Sequence, residues 1–237
     1  MGRPAALNRD LILAAAAALV EEHGADALSA RRLGEALGCD ASALYRHFAN
    51  MDEVQREVGD RFLGAVRTAA RRGEVWSAAV RRICIELRSV QLQRPRLAAL
   101  VRAAPTRLRN ELHITEALLR ELRRGGFTDD GAAAAYHSLI ELTVGAAAID
   151  ATLAAEPAAE RRRAYREWRQ LYASLDVTEF PNAVAAAGHL YDGTADQRFE
   201  WALDALLDGL SARAAHGTPA DSPPKRPHSS RERAGIH

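Results

Sequence analysis

The chain has 237 residues, of which 48% are hydrophobic and 5% aromatic, which allows a sizeable core built mainly of Ala, Leu, Val and Ile. A formal charge of +1 excludes a global basic field, and nearly all the cationic charge is arginine, with Lys225 the single lysine. Two cysteines, Cys39 and Cys84, show no metal-ligand spacing and exclude a disulfide scaffold.

The first ten residues, "MGRPAALNRD", lack the apolar core of a signal peptide. "LILAAAAALV", at ten residues, is too short to span a bilayer, so no membrane role and a cytoplasmic location are expected. Asn8 is placed to cap a first helix that ends before Gly24, with Ile12, Ala15, Ala16, Leu19 and Val20 on one face. Ser29 caps a second helix, which turns Leu33, Ala36 and Leu37 inward and closes at Gly38. A third helix is predicted over 41–48, burying Leu44 and Phe48. Asn50, with Glu53 at capping-box spacing, starts a fourth that runs through Phe62 and beyond.

Trp76, Val80, Ile83, Leu87 and Val90 step by 4, 3, 4, 3 along one helix face. Pro95 opens a short helix to about Ala103, and Pro105 interrupts again. Leu108, Leu112, Thr115, Leu119 and Leu122 repeat the stripe before "RRGGF" ends that helix. Small residues dominate a predicted helix over 129–153. Partial helix is expected over 164–175, with a mobile link after it. A last amphipathic helix over 196–214 carries Phe199, Leu203, Leu206 and Leu210. From Gly217 the chain is polar and Pro-rich and is expected to be disordered. No sustained alternation of β-branched residues occurs, so the expected fold class is all-α.

The second and third helices, joined by "GCD", make a helix-turn-helix, which projects its second helix into a DNA major groove. Tyr45 and His47 are placed to bond phosphates, Arg46 a base edge or phosphate, and Ser29 and Arg31 the flanking backbone. Ser42, Ala43 and Asn50 complete the candidate DNA-binding set. His113 and Glu116, at i, i+3, read as a solvated helix face rather than a metal pair, and His137 and Glu141, at i, i+4, suit a polar anchor or a dimer-interface pair equally. No nucleophile–base pair, phosphate loop or metal cluster appears, so neither metal nor cofactor is expected.

"LSARRLGEALGCDASALYRHFANMDEV" resembles the DNA-binding signature of the TetR family of transcriptional regulators, with Leu44, Tyr45, His47, Phe48 and Asn50 matching directly. Two positions depart from it: Met51 stands where the family carries a lysine, and Cys39 where valine is common. Residues 1–62 hold seven Arg against ten acidic residues, a net of −3, which is weak for a DNA binder. The later segments resemble the branch containing the tetracycline repressors. At the positions corresponding to its drug–magnesium site stand Arg67, Ile83, Leu87, Arg102, Pro105 and Leu118. A metal-binding His has become Arg and several polar positions are apolar, so that chelate site is expected to be absent.

The resemblance implies a DNA-binding domain over 1–62, an effector-binding and dimerisation domain over 63–215 and a tail over 216–237. It implies a homodimeric repressor on palindromic double-stranded operator DNA, released by a small apolar or amphipathic effector. Candidate effector contacts are Arg67, Ile83, Leu87, Arg102, Leu118, Leu122 and Glu141. Candidate dimer contacts are Ala146, Ala147, Leu203, Leu206 and Leu210, with Ala205 and Gly209 permitting close approach. The alternatives are a dimeric DNA-binding regulator without an effector, and an α-helical enzyme.

Overall fold

The computed structural model describes residues 7–154 and 157–216, and among them there is no strand. Ten α-helices follow in chain order: α1 (Arg9–His23), α2 (Ala30–Leu37), α3 (Met51–Leu63), α4 (Trp76–Gln93), α5 (Pro95–Ala103), α6 (Arg109–Arg124), α7 (Asp129–Ala154), α8 (Ala158–Ala173), α9 (Pro181–Ala186) and α10 (Ala195–His216). The tail from Gly217 lies outside the described residues.

Local chemistry sets the first boundaries. The Asn8 side chain accepts from Leu11 N at 2.9 Å, and Ser29 from Arg32 N at 3.4 Å, each satisfying a donor that the helix leaves open. Gly38 ends α2 in the left-handed region at φ 64. Between α2 and α3 the expected helix over 41–48 is instead a 310 segment, Ala41–Arg46. Asp40 opens the segment and His47 N closes it on Leu44 O at 2.9 Å, the three-residue spacing of the tighter turn.

Ile12, Ala16, Val20, Leu33, Leu44, Phe48, Val54 and Val58 form one end of a continuous core, and Val80, Ile83, Leu87, Leu118, Leu122, Leu139 and Leu203 form the other. Burying each large aliphatic chain contributes about 1.5–3 kcal/mol before entropy. Helix α3 joins the two ends, packing on α1 at one side and on α5 and α6 at the other. Its Gly59 makes that contact close: a Cβ there would lie 2.9 Å from Val101 Cγ1.

Two stripes and one link differ from the sequence reading. Ala36 is exposed, because α2 turns Leu33 and Gly34 inward. On α6 the buried face is Ile114, Ala117, Leu118 and Leu122, leaving Leu112 exposed. The link after 175 contains α9. By length and composition alone α7 could cross a membrane; here one face packs along α4, α6 and α10 and the other is exposed. Helix α8 has no buried residue and touches mainly α9 and α7. Tyr165, Trp168 and Tyr191 bind this pair to the start of α10, the two tyrosines stacked at 5.5 Å.

Candidate functional site

The recognition segment starts at Asp40, whose carboxylate accepts from Ser42 N at 2.7 Å. The Ser42 side chain, then that backbone bond, holds the carboxyl below its ordinary pKa. The turn lies hard against α2: a Cβ on Gly34 would be 2.9 Å from Cys39 O, so only glycine fits without a shift. Leu44 and Phe48 anchor the segment in the core. Residues three apart eclipse in a 310 turn, so Ser42 and Tyr45 stand one above the other, both exposed. Arg46 is exposed beside them, while Ala43 and His47 are half-buried.

The far end is fastened by Arg9, which no motif marked. Its guanidinium lies 4.2 Å from the Phe48 ring centroid and donates to His47 O, Glu57 and Glu53. Asn50 accepts from Glu53 N at 2.9 Å. The expected capping box is displaced by one residue, because Glu53 accepts from Ala49 N at 2.6 Å. That bond, then Arg9, keeps the Glu53 carboxyl below its ordinary pKa. Asn50 and Ser29 thus have their side chains engaged in caps, and Arg31 pairs with Glu35 at 3.0 Å.

Asp60, buried near the end of α3, is the joint to the rest of the molecule. Its carboxylate accepts from Asn110 N and Glu111 N at 3.0–3.1 Å, from Asn110 Nδ2 at 2.9 Å and from Thr106 Oγ1 at 3.2 Å. It therefore caps α6 from another helix. Glu111 answers by accepting from Thr106 N, Thr106 Oγ1 and Arg107 N, which holds Arg107 at φ 57. The α5–α6 loop is in this way bound to the helix that carries the recognition segment.

Beyond the joint, Ile83, Leu118 and Leu122 are 0% exposed and Leu87 is 4%. Cys84 lies in the same core, and burial pushes its thiol up to about 11, with Thr143 opposing. Arg88, also buried, crosses from α4 to Asp150 on α7 at 2.6 Å and Asp196 on α10 at 2.5 Å, over the Phe199 ring.

Residues 12–58 match the family profile described as "Bacterial regulatory proteins, tetR family", and residues 70–214 match "Tetracyclin repressor-like, C-terminal domain". The chain belongs to the TetR family. An HTH-type transcriptional regulator of Saccharopolyspora erythraea is 29% identical over 208 residues, covering 88% of this chain and 86% of its own length. Apo ActR from Streptomyces coelicolor superimposes with a TM-score of 0.80 at 28% identity, over 92% of this chain and 100% of its own. ActR in complex with actinorhodin gives 0.80 at 30% identity, over 89% and 99%. TetR-family proteins are transcriptional regulators, not enzymes, which removes the α-helical enzyme reading.

Within this TetR-family frame several sequence expectations need correction. Arg67 is 84% exposed at its side chain and pairs with Glu86, and Glu141 faces solvent on α7; neither reaches the core holding Ile83, Leu87, Leu118 and Leu122. Arg102 is half-buried at the end of α5. Ala147, Leu203 and Leu210 are buried inside the protomer, with Ala146 and Leu206 half-buried, because α10 uses that stripe to pack on α4 and α7. The outward face of α10 carries Trp201, 76% exposed, with Ala205 and Gly209 at helical spacing. On α7 the outward residues include Gly145 and Ile149, 66% exposed. His113, Glu116 and His137 are exposed, and the described residues contain no cluster of metal-ligating side chains.

Proposed function

We propose that this regulator represses transcription in the cytoplasm as a homodimer on an inverted-repeat operator, and that a small-molecule effector releases it. Ser42, Tyr45 and Arg46 face the DNA, with Arg31 and His47 at the edge. Two recognition segments then enter successive major grooves about 34–36 Å apart. The second copy covers the outward faces of α7 and α10, where Trp201 and Ile149 supply apolar area and Gly145, Ala205 and Gly209 allow close approach. An obligate interface of this kind typically exceeds about 2,000 Å².

The observation that carries the effector reading is the Asp60 joint. It couples α3 to the α5–α6 loop, so an effector that moves this loop tilts the recognition segment. Such a ligand must bind the released form better than the DNA-bound form, and DNA must weaken its binding by the same factor, typically about 5–150-fold. ActR, with a complex containing actinorhodin, supports a small-molecule site in a protein of this shape. The complete burial of Ile83, Leu118 and Leu122 favours the second reading, a dimeric repressor without an effector.

Gel shifts on the gene's own upstream region test the DNA half: a discrete complex at moderate salt is expected, and absence of sequence preference overturns it. Light scattering at micromolar concentration is expected to give a dimer, and a monomer refutes the assembly. A compound screen scored by loss of that gel-shift complex separates the two effector readings.

A further inference from the structure

Two side chains at the α4–α5 corner each carry a sealed polar atom without a hydrogen-bond partner. Gln91, in the last turn of α4, is 1% exposed, and its side-chain Oε1 is sealed from solvent without a hydrogen-bond partner. Arg102, near the end of α5, has its Nη1 sealed and unbonded. Its Nη2 donates one long bond, 3.3 Å, to Pro95 O, which places the guanidinium at the same corner, four residues on from Gln91. No carboxylate among the described residues pairs with it.

The other enclosed arginines of this domain are treated differently. Arg81 binds Glu200 and Asp204, Arg82 binds Glu74, and Arg88 binds Asp150 and Asp196. A guanidinium keeps its charge in a protein and offers five donors in a planar fork. Enclosing it without a counter-ion is costly, whereas the chain neutralises its neighbours with carboxylates. Burial accordingly lowers the Arg102 pKa from its ordinary value.

We propose that Arg102 reads charge, and that the effector is an organic anion, a carboxylate or an ionised phenol or enol, paired with the Arg102 fork while the Gln91 amide bonds a neighbouring polar group. This rests on the effector reading above and names its ligand class. The position also supplies the coupling. Arg102 lies four residues before Thr106, which Asp60 and Glu111 hold, so drawing the guanidinium toward an anion pulls on the loop that fastens α3.

Melting curves and operator release by the full chain test this with matched probes: 2-naphthoate against 2-naphthamide, and anthraquinone-2-carboxylate against its carboxamide. The anion of a pair is expected to act at concentrations about ten- to a hundredfold below its neutral partner, the range of a charge-assisted hydrogen bond. Arg102→Met should remove that difference and Arg102→Lys should keep part of it. Without any probe, Arg102→Met should raise Tm by about 2–4 °C, because it deletes an unpaired enclosed charge. Amides acting as well as anions would overturn the anion assignment and leave the effector reading standing. If no probe of either kind shifts Tm or releases DNA, and Arg102→Met lowers Tm, both fall.

Discussion

In the DNA-binding end the helix caps are local, Asn8 with Leu11, Ser29 with Arg32, Asp40 with Ser42 and Asn50 with Glu53, while Arg9 reaches far along the chain to fasten His47, Glu53 and Glu57, as Arg61 does to Asp10. In the larger helical domain the bonds join distant segments. Arg88 and Asp196 are 108 residues apart, and Arg81 and Asp204 are 123 apart. Asp60 and Asn110 stand between the two regimes, joining α3 to α6 across 50 residues. A head capped locally and tied across by Arg9 keeps its shape as it moves. A body built on long-range bonds has arrangements to exchange, which is what a switch requires.

The largest expected effect that sharpens this contrast is at Asp60. Asp60→Ala leaves Asn110 N and Glu111 N without their acceptor, and should cost about 3 kcal/mol or more in urea unfolding. A loss below about 1 kcal/mol would show that the joint is not held by this carboxylate. Next comes Arg88→Met, expected to cost about 3 kcal/mol by stranding the half-buried Asp150. The double variant with Asp150→Asn should recover part of that loss, and simple additivity would refute the pairing.

Local bonds should matter less. Asn50→Ala should destabilise by about 1 kcal/mol through loss of the α3 cap, measured by thermal unfolding. Tyr45→Ala should leave stability within about 0.5 kcal/mol, since Tyr45 is half exposed, while weakening operator binding about tenfold in a gel shift. Acid provides the smallest effect. Glu53 has a depressed folded pKa, so its contribution is present above its ordinary value of 4.5 and is lost as pH falls through the lower folded value. Glu53→Gln should therefore flatten the acid limb of the melting profile.

The same contrast explains what the sequence disclosed. Asn8, Ser29, Gly38 and Asn50 are boundary signals whose partners lie within a few residues, so the bounds of the first four helical segments were legible, while the 310 character of Ala41–Arg46, the outward turn of Ala36 and the shifted capping box were not. The stripe on α4 was legible because its periodicity faces one core. On α6 the pattern gave Leu112, whereas packing against α4 and α7 chose Ile114 and Leu118. Asp60, Arg88 and Arg9 look like surface charges in a linear sequence, because the groups that pair with them are far along the chain. On α10 the apolar stripe was legible but not its partner: Leu203 and Leu210 bind the protomer itself, leaving Trp201 outward.

Gly59 carries a consequence for genetics. One added methyl there meets Val101 Cγ1 at 2.9 Å and Thr106 Cγ2 at 3.4 Å, wedging α3 away from α5. In a selection for colonies that express the target gene constitutively, Gly59→Ala should be recovered alongside changes on the recognition segment. Its product should still fold and dimerise, so the position would mark the transmission line of the switch on a mutational map.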